Sequence, residues 1–321
     1  NCFDEARFPQ LYGCVDTADK GRFASEMYYK TMQDARAAIR YVTEHPIFKV
    51  DPDKVFIGGQ SAGAVTTLFA SYFDETDFAD TSTTFDVDYL ADTLHFGGLD
   101  TNHHITVKDP FPEVRGAFSF WGGLPTLNII DEGEPPLLLF HSTWDKTIPY
   151  QENFLHYNYN FPYFYGAEAM ACKARSFNNP LDVKLVSVCE GPHQLWSTDD
   201  SCWSTETLLP DSSVFADFFV EETADFITKV LNNSLPPISV STLDIDDIGN
   251  LQSPGFFAGL QSMHPDPFHC PTDETELDVY CNSITQQLRK AGPPSLDVVV
   301  YPNPFSDYLV VEGSFGQDEN C

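Results

Sequence analysis

The sequence predicts an α/β protein: a doubly wound, mostly parallel sheet flanked by helices, with a small β segment near the C-terminus. The first observation is a set of short apolar runs, which indicate strands buried on both faces, as in parallel sheets. These runs are residues 54–57, 117–121, 137–140 and 183–188. The second observation is that helix-like segments alternate with these runs, and such alternation favours parallel strands.

The first predicted helix covers residues 25–45, where apolar side chains recur at the spacing of one helix face. They are Tyr28, Met32, Ala35, Ile39 and Val42. Ser25 is a suitable N-cap residue, and Pro46 cannot continue the helix. A later helix is predicted over residues 212–231. Its side chains expected to face the sheet are Phe215, Phe219, Phe226 and Val230.

Residues 59–63 read Gly-Gln-Ser-Ala-Gly and lie between the first predicted strand and residues 64–70, which predict a buried helix. A serine in a tight turn between a strand and a helix presents its hydroxyl as a nucleophile, so we predict Ser61 in that role. Gly59 and Gly63 are the elbow glycines, because a side chain at either position is expected to collide across the turn. The alternative is a glycine-rich loop with an incidental serine.

A serine hydroxyl needs a base to take its proton and an acid to orient that base. In this strand–turn–helix setting, the acid and the histidine follow the serine in that order, each after a later strand. Asp145 follows the apolar run 137–140, and His193 follows the run 183–188 after a Gly-Pro bend. We therefore predict Ser61, Asp145 and His193 as the catalytic residues.

Simpler explanations exist for each of these partners. Asp145 could be a turn aspartate, since aspartate is common in loops. Four other histidines are assigned to the surface, namely His103, His104, His264 and His269. Glu190 is a rival acid, but its closeness in sequence to His193 disfavours it.

Several of these segments resemble the carboxylesterase and lipase branch of the α/β-hydrolases. The resemblance rests on residues 57–63 and on the preceding residues 32–41, and it extends over residues 15–231. Residues 141–149 are similar to the acid loop of that family, although relatives usually have His-Gly where this chain has His-Ser. The resemblance implies an α/β-hydrolase fold and a serine esterase that needs no cofactor.

The same resemblance implies a backbone oxyanion hole. The N–H of Ala62 is expected to supply one donor, and an earlier loop usually supplies the second. No His-Gly-Gly segment precedes Ser61 in the printed sequence. We therefore expect the early strands and that loop to lie upstream of residue 1, so that the chain is a fragment. Loss of a single donor typically costs about 10²–10³ in turnover.

Composition excludes several classes of protein. The chain of 321 residues is 42% hydrophobic and 14% aromatic, which excludes a disordered protein. Its net charge of −31 argues against nucleic acid as a partner, because phosphate binding needs a basic face. No apolar run approaches the roughly eighteen residues that a membrane span needs, so no membrane span is predicted.

The eight cysteines form an even set, which favours disulfides in an exported protein. The natural candidates are pairs close in sequence: Cys2 with Cys14, and Cys270 with Cys281. A second group surrounds the strand before His193, where one bridge could brace the histidine loop: Cys172, Cys189 and Cys202. Paired C-x-x-C or H-x-x-x-H patterns are lacking, so no metal site is predicted.

The predicted organisation has three parts. Residues 1–232 form the catalytic domain, which is incomplete on its N-terminal side. Within it, residues 74–113 are either a lid or an ordinary surface excursion. The aromatic-rich residues 153–165 either wall an apolar pocket beside Asp145 or belong to helix-and-loop packing. Residues 233–291 are predicted to be a linker or accessory segment, followed by the start of a small β domain.

That final part, residues 292–321, carries a second resemblance. Residues 298–311 are similar to the opening of the C-terminal sorting domain of type IX secretion substrates, with Tyr-Pro-Asn-Pro followed by an alternating strand. The alternative is a turn followed by an edge strand. The resemblance implies export from a Gram-negative bacterium by that secretion machinery, to a secreted or cell-surface location, and an incomplete sorting domain.

The sequence therefore predicts a secreted serine ester hydrolase of the carboxylesterase or lipase type, acting on a small-molecule or lipid ester. Peptidase and polyester depolymerase activities on the same fold remain alternatives. A non-catalytic surface protein that retains the elbow is an alternative from a different class, favoured by the lack of a second oxyanion segment. No cofactor and no nucleic-acid partner are predicted.

Overall fold

The structure, a computed structural model, describes residues 17–77, 98–100, 111–157, 163–189, 191, 193, 212–244 and 270–290. The α-helices in these ranges are α1 (Thr17–Glu44), α2 (Ala62–Tyr72), α3 (Ala167–Arg175), α4 (Ser212–Leu231) and α5 (Glu274–Lys290). The strands are β1 (Val55–Gln60), β2 (Val114–Phe120), β3 (Leu137–Ser142), β4 (Glu152–Phe154), β5 (Tyr163–Tyr165), β6 (Val183–Cys189) and β7 (Ile238–Asp244).

Five of these strands form one parallel sheet in the order β1-β2-β3-β6-β7. Helix α2 lies in the chain between β1 and β2, α3 between β3 and β6, and α4 between β6 and β7. The predicted α/β class with a mostly parallel sheet is confirmed. Because the carboxyl ends of parallel strands share one edge, residues that follow β1, β3 and β6 are brought to the same side of the molecule.

Apolar side chains cover both faces of the sheet. Along β3, Leu137 and Leu139 belong to the core that also contains side chains of α1, α2, α3 and α5. Leu138 and Phe140 belong to the core beneath α4. This alternation is the two-residue period of a strand, and burial on both faces explains why the run is apolar without interruption.

Helix α4 has the predicted bounds, Ser212–Leu231. Phe226 and Val230 are buried in the core of that face, and Phe219 packs partly buried against it. The side chain of Phe215 lies outside the part of the chain that the structure describes.

Helix α1 begins at Thr17, so Ser25 lies inside the helix and the prediction that it is the N-cap is wrong. The residues before Ser25 include alanine, lysine and arginine, which are good helix formers. One glycine among them costs only about 1 kcal/mol, so the helix continues through them. Val42 was placed on the buried stripe, but its side chain is 37% exposed.

The C-terminal half of α1 buries polar side chains as well as apolar ones. Gln33 Nε2 donates to the carbonyl oxygen of Gly98, and Arg40 Nη2 donates to that of Asp100, each at 2.8 Å. Arg36 Nε lies 2.9 Å from Asp100 Oδ1. These contacts fix residues 98–100 against α1, within the segment 74–113 that was predicted to be a lid or a surface excursion.

The sheet extends past the boundary that was predicted at residue 232. Residues 233–291, expected to be a linker or accessory segment, supply β7, which pairs with β6 from Val183↔Ile238 to Cys189↔Asp244. They also supply α5, whose Leu277 is fully buried in the larger core.

Two disulfides tie this C-terminal part to the rest of the sheet. Cys172 of α3 is bonded to Cys281 of α5, and Cys189 at the end of β6 is bonded to Cys270. The predicted pair Cys270–Cys281 is therefore wrong. A helix rises about 1.5 Å per residue, so α5 carries Cys281 away from Cys270. The predicted Cys2–Cys14 pair and Cys202 lie outside the described residues.

Other predictions also lie outside the described residues. They concern residues 78–97 and 101–110 of the lid or surface segment, and the sorting-domain segment at residues 292–321. Among the helices that are described, none is long and apolar enough to cross a membrane.

A cluster of carboxylates lies beyond the C-terminal end of α2. The backbone N–H of Asp131 donates to Glu134 Oε2 at 2.6 Å, and the N–H of Asp74 donates to Asp77 Oδ2 at 2.8 Å. Burial raises the pKa of the Glu134 carboxyl to about 9, with a further increase from the charges of Asp131, Asp74 and Asp77. Glu134 is therefore protonated in the folded protein at neutral pH.

This shift makes the free energy of unfolding depend on pH. Between the ordinary value of 4.5 and about 9, the unfolded chain releases the Glu134 proton while the folded protein keeps it, so the stability falls as the pH rises. Replacing Glu134 by Gln removes this dependence. At pH 8 we expect the free energy of unfolding of Glu134→Gln, measured by urea unfolding, to exceed that of the wild type by about 1–3 kcal/mol. At pH 5 the two proteins should differ little. Equal pH dependence in the two proteins would contradict the assignment.

Candidate active site

Ser61 occupies the turn between β1 and α2 with an unusual backbone conformation. Its φ is 55° and its ψ is −121°, a sparsely populated region for a residue other than glycine. The turn is held because the Ser61 N–H donates to the carbonyl oxygen of Phe120 at 2.8 Å. The Ser61 carbonyl accepts from the N–H groups of Ala64 and Val65, which begin the helix. A strained strand-to-helix turn of this kind is what the sequence predicted around Ser61.

The two elbow glycines differ in what surrounds them. A Cβ atom on Gly59 would lie 2.2 Å from the carbonyl oxygen of Gly63, so a small residue is required there. A Cβ atom on Gly63 would meet no described atom within 4 Å. The prediction that a side chain at Gly63 would collide is therefore wrong. The backbone of Gly63 faces Gly59, whereas the position that a Gly63 side chain would occupy is open.

The three predicted catalytic side chains meet at the carboxyl edge of the sheet. His193 Nε2 is 2.8 Å from Ser61 Oγ, and His193 Nδ1 is 2.6 Å from Asp145 Oδ2. Asp145 is fully buried, while Ser61 is 4% and His193 8% exposed. Each distance is that of a hydrogen bond, so the chain Ser61–His193–Asp145 is continuous.

The Asp145 carboxylate is held by four N–H groups. Oδ1 accepts from the backbone N–H of Thr147 at 2.7 Å and from that of Ile148 at 3.0 Å. Oδ2 accepts from His193 Nδ1 and from His141 Nε2, the latter at 3.0 Å. Burial alone raises the pKa of this carboxyl, but the charge of His193 and the two histidine hydrogen bonds outweigh it and hold the pKa well below its usual range.

The acid loop and the histidine loop are bound to each other by backbone hydrogen bonds. The N–H of Thr143 donates to the carbonyl oxygen of Val188 at 2.9 Å, and the N–H of Trp144 donates to that of Gly191 at 3.1 Å. The disulfide with Cys270 also ties down Cys189, the last residue of β6 before the histidine loop. These bonds hold the two loops in a fixed relation at the end of β3 and β6.

His141 and His156 are neighbours of Asp145 that the sequence did not single out for the site. His156 donates its backbone N–H to the carbonyl oxygen of Thr147 at 2.9 Å, and its own φ is 56°. Burial lowers the pKa of the His156 imidazole to about 4, against the opposing charge of Asp145. The sequence signal for His156 was weak, because it lies in an aromatic segment and no apolar run that predicts a strand comes directly before it.

Parts of that aromatic segment form strands: residues 153–154 belong to β4 and residues 163–165 form β5, while residues 155–157 form a short 3-10 turn. Strands β4 and β5 pair antiparallel, and the rings of Phe154 and Tyr163 meet edge to face at 5.3 Å. Tyr165 also exchanges backbone hydrogen bonds with Leu124. The pair therefore packs beside the loop that follows β2. Its role as the wall of an apolar pocket stays a prediction.

The oxyanion donor also stays a prediction. Ala62 is the first residue of α2, and the first N–H groups of a helix have no acceptor within that helix. The surface histidines His103, His104, His264 and His269, and the rival acid Glu190, lie outside the described residues. Within the described part of the chain, no group of three or more His, Cys, Asp or Glu side chains could hold a metal ion.

Comparison of the chain with family models, with curated proteins and with solved structures finds no significant match.

Proposed function

We propose that the protein is a serine hydrolase that cleaves ester bonds through an acyl-enzyme intermediate. The observation that carries this proposal is the continuous hydrogen-bonded chain from Ser61 Oγ through His193 to Asp145, with distances of 2.8 and 2.6 Å. The strained backbone of Ser61 adds support, because backbone strain at the serine is a common feature of nucleophilic turns.

In the first half of the reaction, Ser61 Oγ attacks the ester carbonyl carbon while His193 Nε2 accepts the hydroxyl proton. Throughout this step, Asp145 accepts a hydrogen bond from the Nδ1–H group of His193 and stabilises the imidazolium that forms. The tetrahedral intermediate then expels the alcohol, which takes its proton from His193. An acyl group remains bound to Ser61.

In the second half, a water molecule attacks the acyl carbon and gives its proton to His193. Collapse of the second intermediate releases the acid and restores the Ser61 hydroxyl. The N–H of Ala62 is proposed to bind the oxyanion in both halves, together with the second backbone donor that the resemblance implies.

The proposed substrate is a small-molecule or lipid ester. The two disulfides are compatible with an extracellular protein, because such bonds persist in oxidising compartments. Export through the type IX machinery is a further proposal that rests on the resemblance of residues 298–311. The high negative charge of −31 favours neutral over anionic substrates.

A fluorophosphonate probe tests the nucleophile directly, since it forms a stable adduct with an activated serine. We expect mass spectrometry to locate one adduct on Ser61 in the wild-type chain and none in Ser61→Ala. The turnover rates of a panel of esters, measured in competition with the matching amides, then separate an esterase from a peptidase. A folded wild-type protein that neither labels nor turns over esters would contradict the proposal and favour a non-catalytic surface protein.

A further inference from the structure

A second histidine, His141, is hydrogen-bonded to Asp145 but takes no part in the proton transfers proposed for Ser61 and His193. His141 lies in β3, and its side chain is fully buried. Its Nε2 atom is 3.0 Å from Asp145 Oδ2 and 3.1 Å from the carbonyl oxygen of Ile148. We propose that His141 is a positioning residue that orients the Asp145 carboxylate towards His193, an inference that rests on the proposed function of these residues.

The neighbours of His141 determine which of its ring nitrogens carries the proton. The Ile148 carbonyl can only accept a hydrogen bond, and so can the ionised Asp145 carboxylate. Nε2 therefore carries the proton and donates to both. Nδ1 is buried and has no hydrogen-bond partner among the described residues, so a proton there would lack an acceptor. The surroundings thus select the Nε2–H tautomer, which is the one that can serve Asp145.

His141 is hydrogen-bonded to the Asp145 oxygen that the backbone N–H groups of the acid loop do not bind. The N–H groups of Thr147 and Ile148 bind Oδ1 of Asp145. Among the described residues, the hydrogen bonds to Oδ2 come from His141 and from His193. A carboxylate oxygen has two lone pairs. By occupying one, His141 leaves the other for the His193 Nδ1–H group.

Loss of the His141 donor is expected to act on catalysis through His193. Asp145 Oδ2 would lose one of its two bonds, and the buried carbonyl of Ile148 would lose a donor. The carboxylate could then turn away from His193, and the imidazole would be held less firmly for proton transfer from Ser61. The defect should therefore appear in the acylation rate and much less in KM, since His141 is fully buried and offers no surface to a substrate.

The test uses three substitutions at position 141. His141→Leu removes the donor, His141→Gln places an amide N–H near the position of Nε2, and His141→Asn places it one bond short. We expect His141→Leu to slow the acylation of Ser61 by an activated ester about 10- to 100-fold, the range for a lost hydrogen bond to a charged group. His141→Gln should recover most of the rate and His141→Asn less. If the leucine variant does not fold, the comparison of Gln with Asn decides.

A spectroscopic measurement without substrate separates positioning from general packing. The Nδ1–H proton of His193, bound to Asp145 at 2.6 Å, should give a low-field NMR resonance in the wild type. We expect this resonance to shift or broaden in His141→Leu and to return towards its original position in His141→Gln.

Tyr150→Phe provides the matched control. Tyr150 packs its ring edge to face on His141 at 5.7 Å, and its hydroxyl is hydrogen-bonded to Ser187 Oγ at 2.6 Å. Removing that hydroxyl deletes a buried hydrogen bond in the same region without touching Asp145. Both the acylation rate and the low-field resonance should stay close to those of the wild type.

Three results would overturn the role of His141: a folded His141→Leu with normal acylation and an unchanged resonance, an equal loss in Tyr150→Phe, or no advantage of Gln over Asn. Failure of the proposed function is distinguishable from these. A wild-type protein that forms no adduct at Ser61 refutes the hydrolase, while the low-field resonance still reports whether His141 positions Asp145.

Discussion

Replacing Asp145 by Asn is expected to lower the rate of Ser61 acylation by about 10⁴-fold. The Asp145 carboxylate accepts hydrogen bonds from four N–H groups, two of the backbone and two of histidines. An amide has a single acceptor oxygen and would turn N–H donors towards groups that also donate. His193 would then adopt the wrong tautomer or orientation, and Ser61 would lose its base.

The measurement is the rate at which a fluorophosphonate forms its adduct with Ser61. The rate of the initial burst of alcohol released from an activated ester is measured alongside it. Asp182→Asn is the matched control, because Asp182 directly precedes β6 at the amino end of the sheet, away from the site. It should react as the wild type does. A folded Asp145→Asn variant with a near-normal rate would show that Asp145 is not the catalytic acid.

Asp145→Asn should also lower the free energy of unfolding at pH values above about 4. The pKa of the Asp145 carboxyl is held below its usual range in the folded protein, so its ionised form contributes stability above the ordinary value of 3.8. That contribution is lost as the pH falls through the folded value. Circular dichroism of each variant is therefore needed before its rate is interpreted.

Gly59→Ala is expected to destabilise the protein by roughly 3 kcal/mol or more and to abolish labelling of Ser61. The added Cβ would lie 2.2 Å from the carbonyl oxygen and 2.3 Å from the carbonyl carbon of Gly63. These are backbone atoms, which cannot move aside as a flexible side chain would. Relief of the clash requires the turn that presents Ser61 to open.

Gly63→Ala is the control for stability, because the added Cβ would meet no described atom within 4 Å. Alanine also favours a helix over glycine by up to about 1 kcal/mol, and Gly63 lies in α2. Urea unfolding should therefore show Gly63→Ala to be at least as stable as the wild type. Equal stability of Gly59→Ala and Gly63→Ala would show that the turn is less rigid than described.

The strands and the order of the site residues could be predicted because their signals are local. A strand buried on both faces is mostly apolar, and residues 137–140 of β3 and most residues of β6 show this in the sequence. The turn at Ser61 combines a strand, small residues and a helix within a few positions. Once the sheet is parallel, residues that follow its strands must meet at one edge, so the pairing of Asp145 with His193 followed from topology.

The parts that were missed depend on contacts between distant residues. Strand β7 carries Ser239, Ser241 and Thr242 between its apolar residues, so it resembled a polar linker until its pairing with β6 was known. The disulfides join residues 81 and 109 positions apart, which spacing cannot reveal. The contact of His141 with Asp145 spans four positions, but it depends on the direction of a loop that the sequence does not specify.

The two disulfides change what a protease can do to this molecule. Cys172 and Cys189 lie on one side of a long stretch of chain, and their partners Cys281 and Cys270 lie on the other. A single cut at any peptide bond between residues 189 and 270 therefore yields two pieces that remain covalently joined by both of these bridges. In an oxidising environment, such a nicked molecule keeps β7 and α5 attached to the rest of the sheet, and its pieces separate only after both bridges are reduced.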